Sequence, residues 1–170
     1  DGAGCVHAME VIHTFKRMGI RPRHTIRCVL FANEENGLAG GTEYAAQAKK
    51  KGEKHIAAIE SDGGGHSPRG FGMDATPDLL KVGYAKAQEW RKILAPYGFY
   101  EMEAGGSGAD IGPLKSQGVL LFGFRPDSQR YFDYHHTQND VFENVHKREL
   151  ELGAAGIAAL VYLIDKYGVE

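Results

Sequence analysis

Three short apolar runs separated by helix-length segments restrict this chain to an α/β fold. Thr25–Ala32, His55–Glu60 and Val119–Phe124 each have the length and apolar content of a strand. Between and around them, apolar residues recur at helical spacing. Residues 4–18 carry Val6, Met9, Ile12, Phe15 and Met18, and residues 147–167 carry Ile157, Leu160, Val161 and Ile164. Residues 38–51 and 78–94 also read as helices, the first ending in Lys49-Lys50-Lys51 and Gly52, the second capped by Thr76 or Asp78 and stopped by Pro96 and Gly98. Strands alternating with helices predict one domain over residues 1–170, a three-layer α/β/α arrangement around a mostly parallel mixed sheet. The second half of Thr25–Ala32 is apolar on both faces, as a central parallel strand requires. Pro68–Thr76 reads as a loop with a short strand at Phe71–Met73, and Asp110–Gln117 as a short helix.

Polar residues cluster where the strands stop. Glu34-Glu35 follows the first run, Asp62 follows the second, and a long polar loop, Arg125–Asn144, follows the third and carries His135-His136. Open α/β sheets keep their ligand sites at the carboxyl ends of the strands, so these residues are expected to converge. Loops of this length inside a domain are usually functional. Carboxylate oxygen and imidazole nitrogen suit zinc, and a carboxylate that is not a ligand can move a proton. Of two adjacent glutamates, Glu34 is read as a general base and Glu35 as a zinc ligand. Asp62 and His136 would supply further ligands, and Asp140, four residues on, would orient the His136 ring. Asp110 reads first as a helix N-cap. His7, His13, His24, His55, His66 and His146 are scattered and read as structural or exposed.

A net charge of −2 gives no reason to expect nucleic acid or an acidic membrane as partner. Cys5 and Cys28, the two cysteines, allow no cysteine metal cluster, and Cys28 reads as a buried free thiol. The longest apolar run, Gly153–Ile164, is short for a bilayer.

Asp1-Gly2-Ala3-Gly4, Asn33-Glu34-Glu35, Glu60-Ser61-Asp62, Gly108-Ala109-Asp110-Ile111 and Tyr134-His135-His136-Thr137-Gln138-Asn139-Asp140 form an ordered set. With it the chain resembles the co-catalytic dizinc aminopeptidases and carboxypeptidases, the family that includes bacterial leucyl aminopeptidases and glutamate carboxypeptidase II. The resemblance implies a zinc peptidase fold and hydrolysis of peptide or dipeptide substrates near a free amino terminus. It implies Glu34 as base, Glu35 and His136 on one zinc, and Asp62 on the second. His135 stands where relatives often carry a tyrosine that stabilises the tetrahedral oxyanion, and Asp110 matches a substrate-side loop residue. Relatives are often secreted or periplasmic. The resemblance also implies that Asp1 matches the second position of an upstream metal motif. The bridging aspartate and a His-x-Asp pair would then precede it, and these 170 residues alone would hold at most one zinc, weakly, with little or no activity. A non-catalytic binding domain on the same fold and a glutaminyl cyclase-like acyl transfer are the alternatives.

Overall fold

A computed structural model describes residues 2–169. Asp1, matched above to an upstream metal motif, lies outside the described residues. Four strands form the sheet: β1 (Ala57–Glu60), β2 (Pro68–Asp74), β3 (Glu101–Ala104) and β4 (Leu120–Pro126), in the order β1-β4-β2-β3. β1 runs parallel to β4 and β2 parallel to β3, while β2 and β4 are antiparallel. The sheet is therefore mixed, as expected.

Among the described residues five α-helices accompany it: α1 (Gly2–Arg17), α2 (Ala39–Lys51), α3 (Pro77–Leu94), the single turn α4 (Tyr131–Tyr134) and α5 (Lys147–Tyr167). Successive strand residues face opposite sides of a sheet, and β4 separates two cores in this way. Leu120, Phe122 and Phe124 pack with Val11 and Phe15 of α1, Trp90 and Leu94 of α3, and Leu160 of α5. Leu121 joins Ala45 of α2 with Ile111 and Leu114 on the other face. The three layers follow from that alternation. Gly72 and Gly123 leave room for the 105–108 segment to lie directly on the sheet, since a Cβ at either would meet the Gly106 carbonyl oxygen at 2.4 or 2.3 Å.

Several expectations are corrected. Thr25–Ala32 does not join the sheet: it carries no ladder pairing, and its residues line, with those of β1, a cavity of about 530 Å³. An apolar pattern marks a segment fit for a strand, but the ladder needs a partner edge in contact, which local sequence does not specify. β2 is a full seven-residue strand rather than a loop with three paired residues. β3 had no strand signal. Residues 110–117 give a 3₁₀ helix from Gly112, with Ile111 at its N-cap, so Asp110 is not the cap.

Helix α1 buries a different face from the one its large apolar residues suggest. Gly4, His7, Val11 and Phe15 are buried, while Val6, Met9, Ile12 and Met18 are exposed. The reason is contact distance. A Cβ at Gly4 would lie 1.8 Å from the Ser61 carbonyl oxygen, so glycine lets the helix lie against the end of β1. One turn on, the His7 ring is fully buried and hydrogen-bonded at both nitrogens. Its Nε2–H donates to the Leu150 carbonyl at 3.1 Å, leaving Nδ1 to accept from the Ser61 hydroxyl at 2.8 Å.

Burial lowers the pKa of His7, opposed by the Leu150 hydrogen bond. A neutral His in the fold must compete with a protonated His in the unfolded chain. Its stabilising contribution is complete above the ordinary value of 6.5 and is lost as pH falls below it. Thermal unfolding followed between pH 5 and 8 is expected to show this loss, and His7→Gln to flatten that part of the profile. An unchanged slope in the variant would contradict the assignment.

Candidate active site

The turn after Thr25–Ala32 closes on itself. The amides of Gly37 and Leu38 donate to the Glu34 carbonyl at 3.1 and 2.9 Å, and the Gly40 amide donates to the Ala32 carbonyl at 3.0 Å. Asn33 and Leu38 take the left-handed conformation, with φ of 64° and 58°. Asparagine tolerates this region and leucine does so rarely. The turn projects Glu34 and Glu35 as exposed side chains at one end of the fold.

The carboxyl end of β1 brings in Asp62, and the long loop after β4 brings in the histidines. His136, also left-handed at φ 54°, donates from Nε2 to Glu35 Oε1 at 2.7 Å. This joins two residues 101 positions apart, and it is the one direct bond between predicted site residues among the described residues. Non-glycine residues held at positive φ often mark functional sites. Glu35, Asp62, His135, His136 and Asp140 line one cavity of about 560 Å³. Its other walls include Gly63–Gly65 and the apolar Val6, Val141, Phe142 and Val145. No hydrogen bond joins Asp140 to the His136 ring among the described residues.

Glu34 stands beside this cavity and feels the same charges. Desolvation raises its carboxyl pKa, exposed though it is, and the negative charges of Glu35, Asp62 and Asp110 raise it further, while His136 opposes them. Asp110 is raised by burial and by Asp62. Its Oδ1 is buried with no hydrogen-bond partner among the described residues, which is costly unless a ligand, cation or water meets it.

Two residues that sequence reasoning passed over hold this arrangement. Glu60 precedes Ser61-Asp62 and accepts hydrogen bonds from the amides of Ala109 and Ile111 at 2.9 and 3.0 Å. It thereby clamps the backbone on both sides of Asp110. Burial raises its pKa, and those two amides oppose the rise. The clamp needs a glycine at 108, where φ is 111° and a Cβ would sit 2.2 Å from the Glu60 carboxyl carbon. Tyr131 is the second. Its ring stacks on His135 with centroids 4.6 Å apart, and it lines the same cavity. Its hydroxyl pKa is raised by burial and by Asp62, Glu35 and Glu34, so it too faces the acids. Its signal in the sequence was only an aromatic four residues before His135, one helical turn away.

No group of three or more His, Cys, Asp or Glu side chains converges closely enough to hold a metal ion among the described residues. The donor chemistry nevertheless suits a cation. Four carboxylates, Glu34, Glu35, Asp62 and Asp110, share one electrostatic neighbourhood, and His136 is the one group that favours the Glu34 anion.

The family model described as Peptidase family M28 matches residues 1–161. Carboxypeptidase Q of Mus musculus is 28% identical over 167 residues, covering 96% of this chain and 34% of that protein. Carboxypeptidase Q of Homo sapiens is 27% identical over 164 residues, again 96% and 34%. The crystal structure of a peptidase M28 precursor from Shewanella amazonensis SB2B superposes with a TM-score of 0.88 at 30% identity, covering all of this chain and 38% of that one. The chain thus spans about a third of the length of the curated relatives it matches.

Proposed function

Because the chain belongs to peptidase family M28, we propose that its acid cluster serves zinc-dependent hydrolysis of peptide bonds near a free amino terminus, as an aminopeptidase or dipeptidase. The observation that carries this reading is the Glu35–His136 hydrogen bond in a cavity shared with Asp62, with Glu34 beside it. Carboxypeptidase Q by name is a peptidase, and Glu34, Glu35, Asp62 and His136 supply part of the carboxylate and imidazole set that such hydrolysis uses.

Glu35, Asp62 and His136 would hold zinc, of which the 170 residues alone would take at most one, weakly. Bound there, zinc supplies the Lewis acidity that makes water a nucleophile near neutral pH. Glu34 accepts the proton of the attacking water and passes it to the leaving amine. His135 and Tyr131, stacked together in the cavity wall, donate hydrogen bonds to the oxyanion that forms. Asp110, its backbone clamped by Glu60, keeps the substrate-side position that the resemblance gives it. Asp140 supports the histidine loop from the same cavity. Val6, Val141, Phe142 and Val145 form an apolar wall suited to an uncharged substrate side chain.

The test uses the protein that carries this chain, with dipeptides offered free and N-acetylated. Hydrolysis of the free peptides is expected, with loss on chelation, recovery on added zinc, and a large loss on acetylation. Equal hydrolysis of acetylated peptides would remove the free-amine requirement. Hydrolysis untouched by chelation would overturn the zinc reading, and metal-dependent acyl transfer in place of hydrolysis would favour a cyclase-like activity.

A further inference from the structure

The cavity lined by Glu35, Asp62 and His136 has hydrogen-bond donors in its wall that the chemistry above does not use. His66, which the sequence reads as structural or exposed, lines it together with Tyr134. The Gly63–Gly65 turn brings it there. Gly64 is left-handed at φ 94°, and a Cβ on it would meet the His66 ring at 3.7 Å. On its other side the His66 ring stacks on Tyr134, with centroids 5.6 Å apart and 28° between the planes. Both side chains are half-buried.

His7, His24, His55 and His136 are each hydrogen-bonded through a ring nitrogen. Neither ring nitrogen of His66 has such a partner among the described residues. A neutral imidazole carries one N–H donor and a charged one carries two, so either form has a proton to give. The Tyr134 hydroxyl accepts a hydrogen bond from Arg130, which leaves its own O–H to donate. Asp127 is near enough for its charge to interact with that of His66. It is already bonded to Arg69 and to the Gln129 amide, and it does not line this cavity.

Two donors held ring against ring suit a group with two acceptor oxygens, a carboxylate. Tyr134 immediately precedes His135, to which the oxyanion is assigned. In a dipeptide the terminal carboxylate lies one residue beyond the scissile bond, and so close to that oxyanion. The remaining walls carry the acids Glu35, Asp62 and Asp140. A cavity of about 560 Å³ that combines acids with donors matches a small zwitterion, with an ammonium group at one end and a carboxylate at the other.

We infer that His66, with the Tyr134 hydroxyl beside it, binds the terminal carboxylate of the substrate and selects dipeptides over longer peptides and peptide amides. This rests on the reading of the cavity as a peptide site, and it names the substrate class and the residues that choose it. Neither residue is a zinc donor or the base.

The test is calorimetric binding to the Glu34→Gln form of the zinc-loaded protein that carries this chain, which needs no turnover. The probes are alanyl-alanine and its carboxyl-terminal amide. Both have a free amine, and the amide has the greater positive charge, so the acids alone would favour the amide. The dipeptide is expected to bind roughly 10- to 100-fold more tightly, the worth of a hydrogen bond to a charged group. His66→Ala is expected to remove most of that preference, and Tyr134→Phe, which keeps the ring, to remove part of it. Equal binding of the two probes before either residue is changed would overturn the inference. So would an unchanged ratio in either variant, binding of neither probe, or an equal loss for both, which is the mark of a structural role. Hydrolysis by the wild-type protein is measured alongside. A dipeptide that binds with the expected preference and is not hydrolysed supports the carboxylate site and refutes the peptidase reading alone.

Discussion

In the protein that carries this chain, and on the proposed base role, Glu34→Gln is expected to lower turnover of a free-amine peptide by about 10²–10⁴-fold, the range for loss of a positioned acid–base group. Glutamine keeps the size and shape of glutamate but cannot take a proton from water. Glu35, Asp62 and His136 remain, so zinc content and KM are expected to change little. The metal-free protein carries a second mark of the same group. Desolvation and the charges of Glu35, Asp62 and Asp110 raise the Glu34 carboxyl pKa, so without metal Glu34 is expected to keep its proton to higher pH than an ordinary glutamate at 4.5. A carboxyl titration of the metal-free protein followed by NMR is expected to show that step, and the variant to lack it. A variant with full activity would remove Glu34 from the mechanism, and one that also lost its zinc would make it a ligand.

Phe122→Ala is expected to cost about 3–5 kcal/mol, the usual range for emptying a buried aromatic site. Phe122 is fully buried on β4 and lies opposite Ile59 of β1 and Met73 of β2. Phe122 belongs to the core shared with α1, α3 and α5, so the cavity left behind is walled by the sheet and by the helices of that face. Collapse is hindered because Phe71, Phe99 and Phe124 already pack ring against ring, with centroids 5.5–6.2 Å apart. Against a typical total of 5–15 kcal/mol this is a large fraction. The unfolding midpoint should fall by roughly 6–20 °C. A fall of only a degree or two would mean that this core repacks freely.

The helices were legible because their information is local. α5 begins and ends where its periodicity and the glycine after Tyr167 place it, and α2 ends at its lysines and Gly52. Strands were less so. β2 contains Gly70 and Gly72, poor strand formers alone, and their value lies in close approach to Glu101 and to the 105–106 segment. β3, Glu-Met-Glu-Ala, has helix-forming residues and buries only Met102. On α1 the large residues drew attention to the wrong face, because a glycine contact and a hydrogen-bonded histidine outweighed methionine and valine.

The ends of the three apolar runs supply Glu35, Asp62 and His135-His136 to one cavity, although the first run is not a strand of the sheet. Asp110 was masked by a plausible cap reading, and Glu60 and Tyr131 act through residues far away in sequence. Nothing local distinguishes them from an ordinary glutamate and tyrosine.

From Asp127 to His146 no side chain is buried, and Phe132 and Phe142 are 80% and 85% exposed. The hydrogen bonds of this loop are mostly internal, such as Thr137 to the Tyr134 carbonyl and Asn144 to the Asn139 carbonyl. The His136–Glu35 bond is one of its few ties to the rest of the molecule. Such a segment can detach at a free-energy cost well below that of global unfolding. One of the three proposed zinc donors, His136, therefore rides on an equilibrium of its own. A ligand bridging Glu35 and His136 binds only the attached form, and its apparent affinity is scaled by the population of that form. Loop closure and ligand capture become one thermodynamic event, so substitutions at Phe132 or Phe142 could tune affinity without touching a single donor atom.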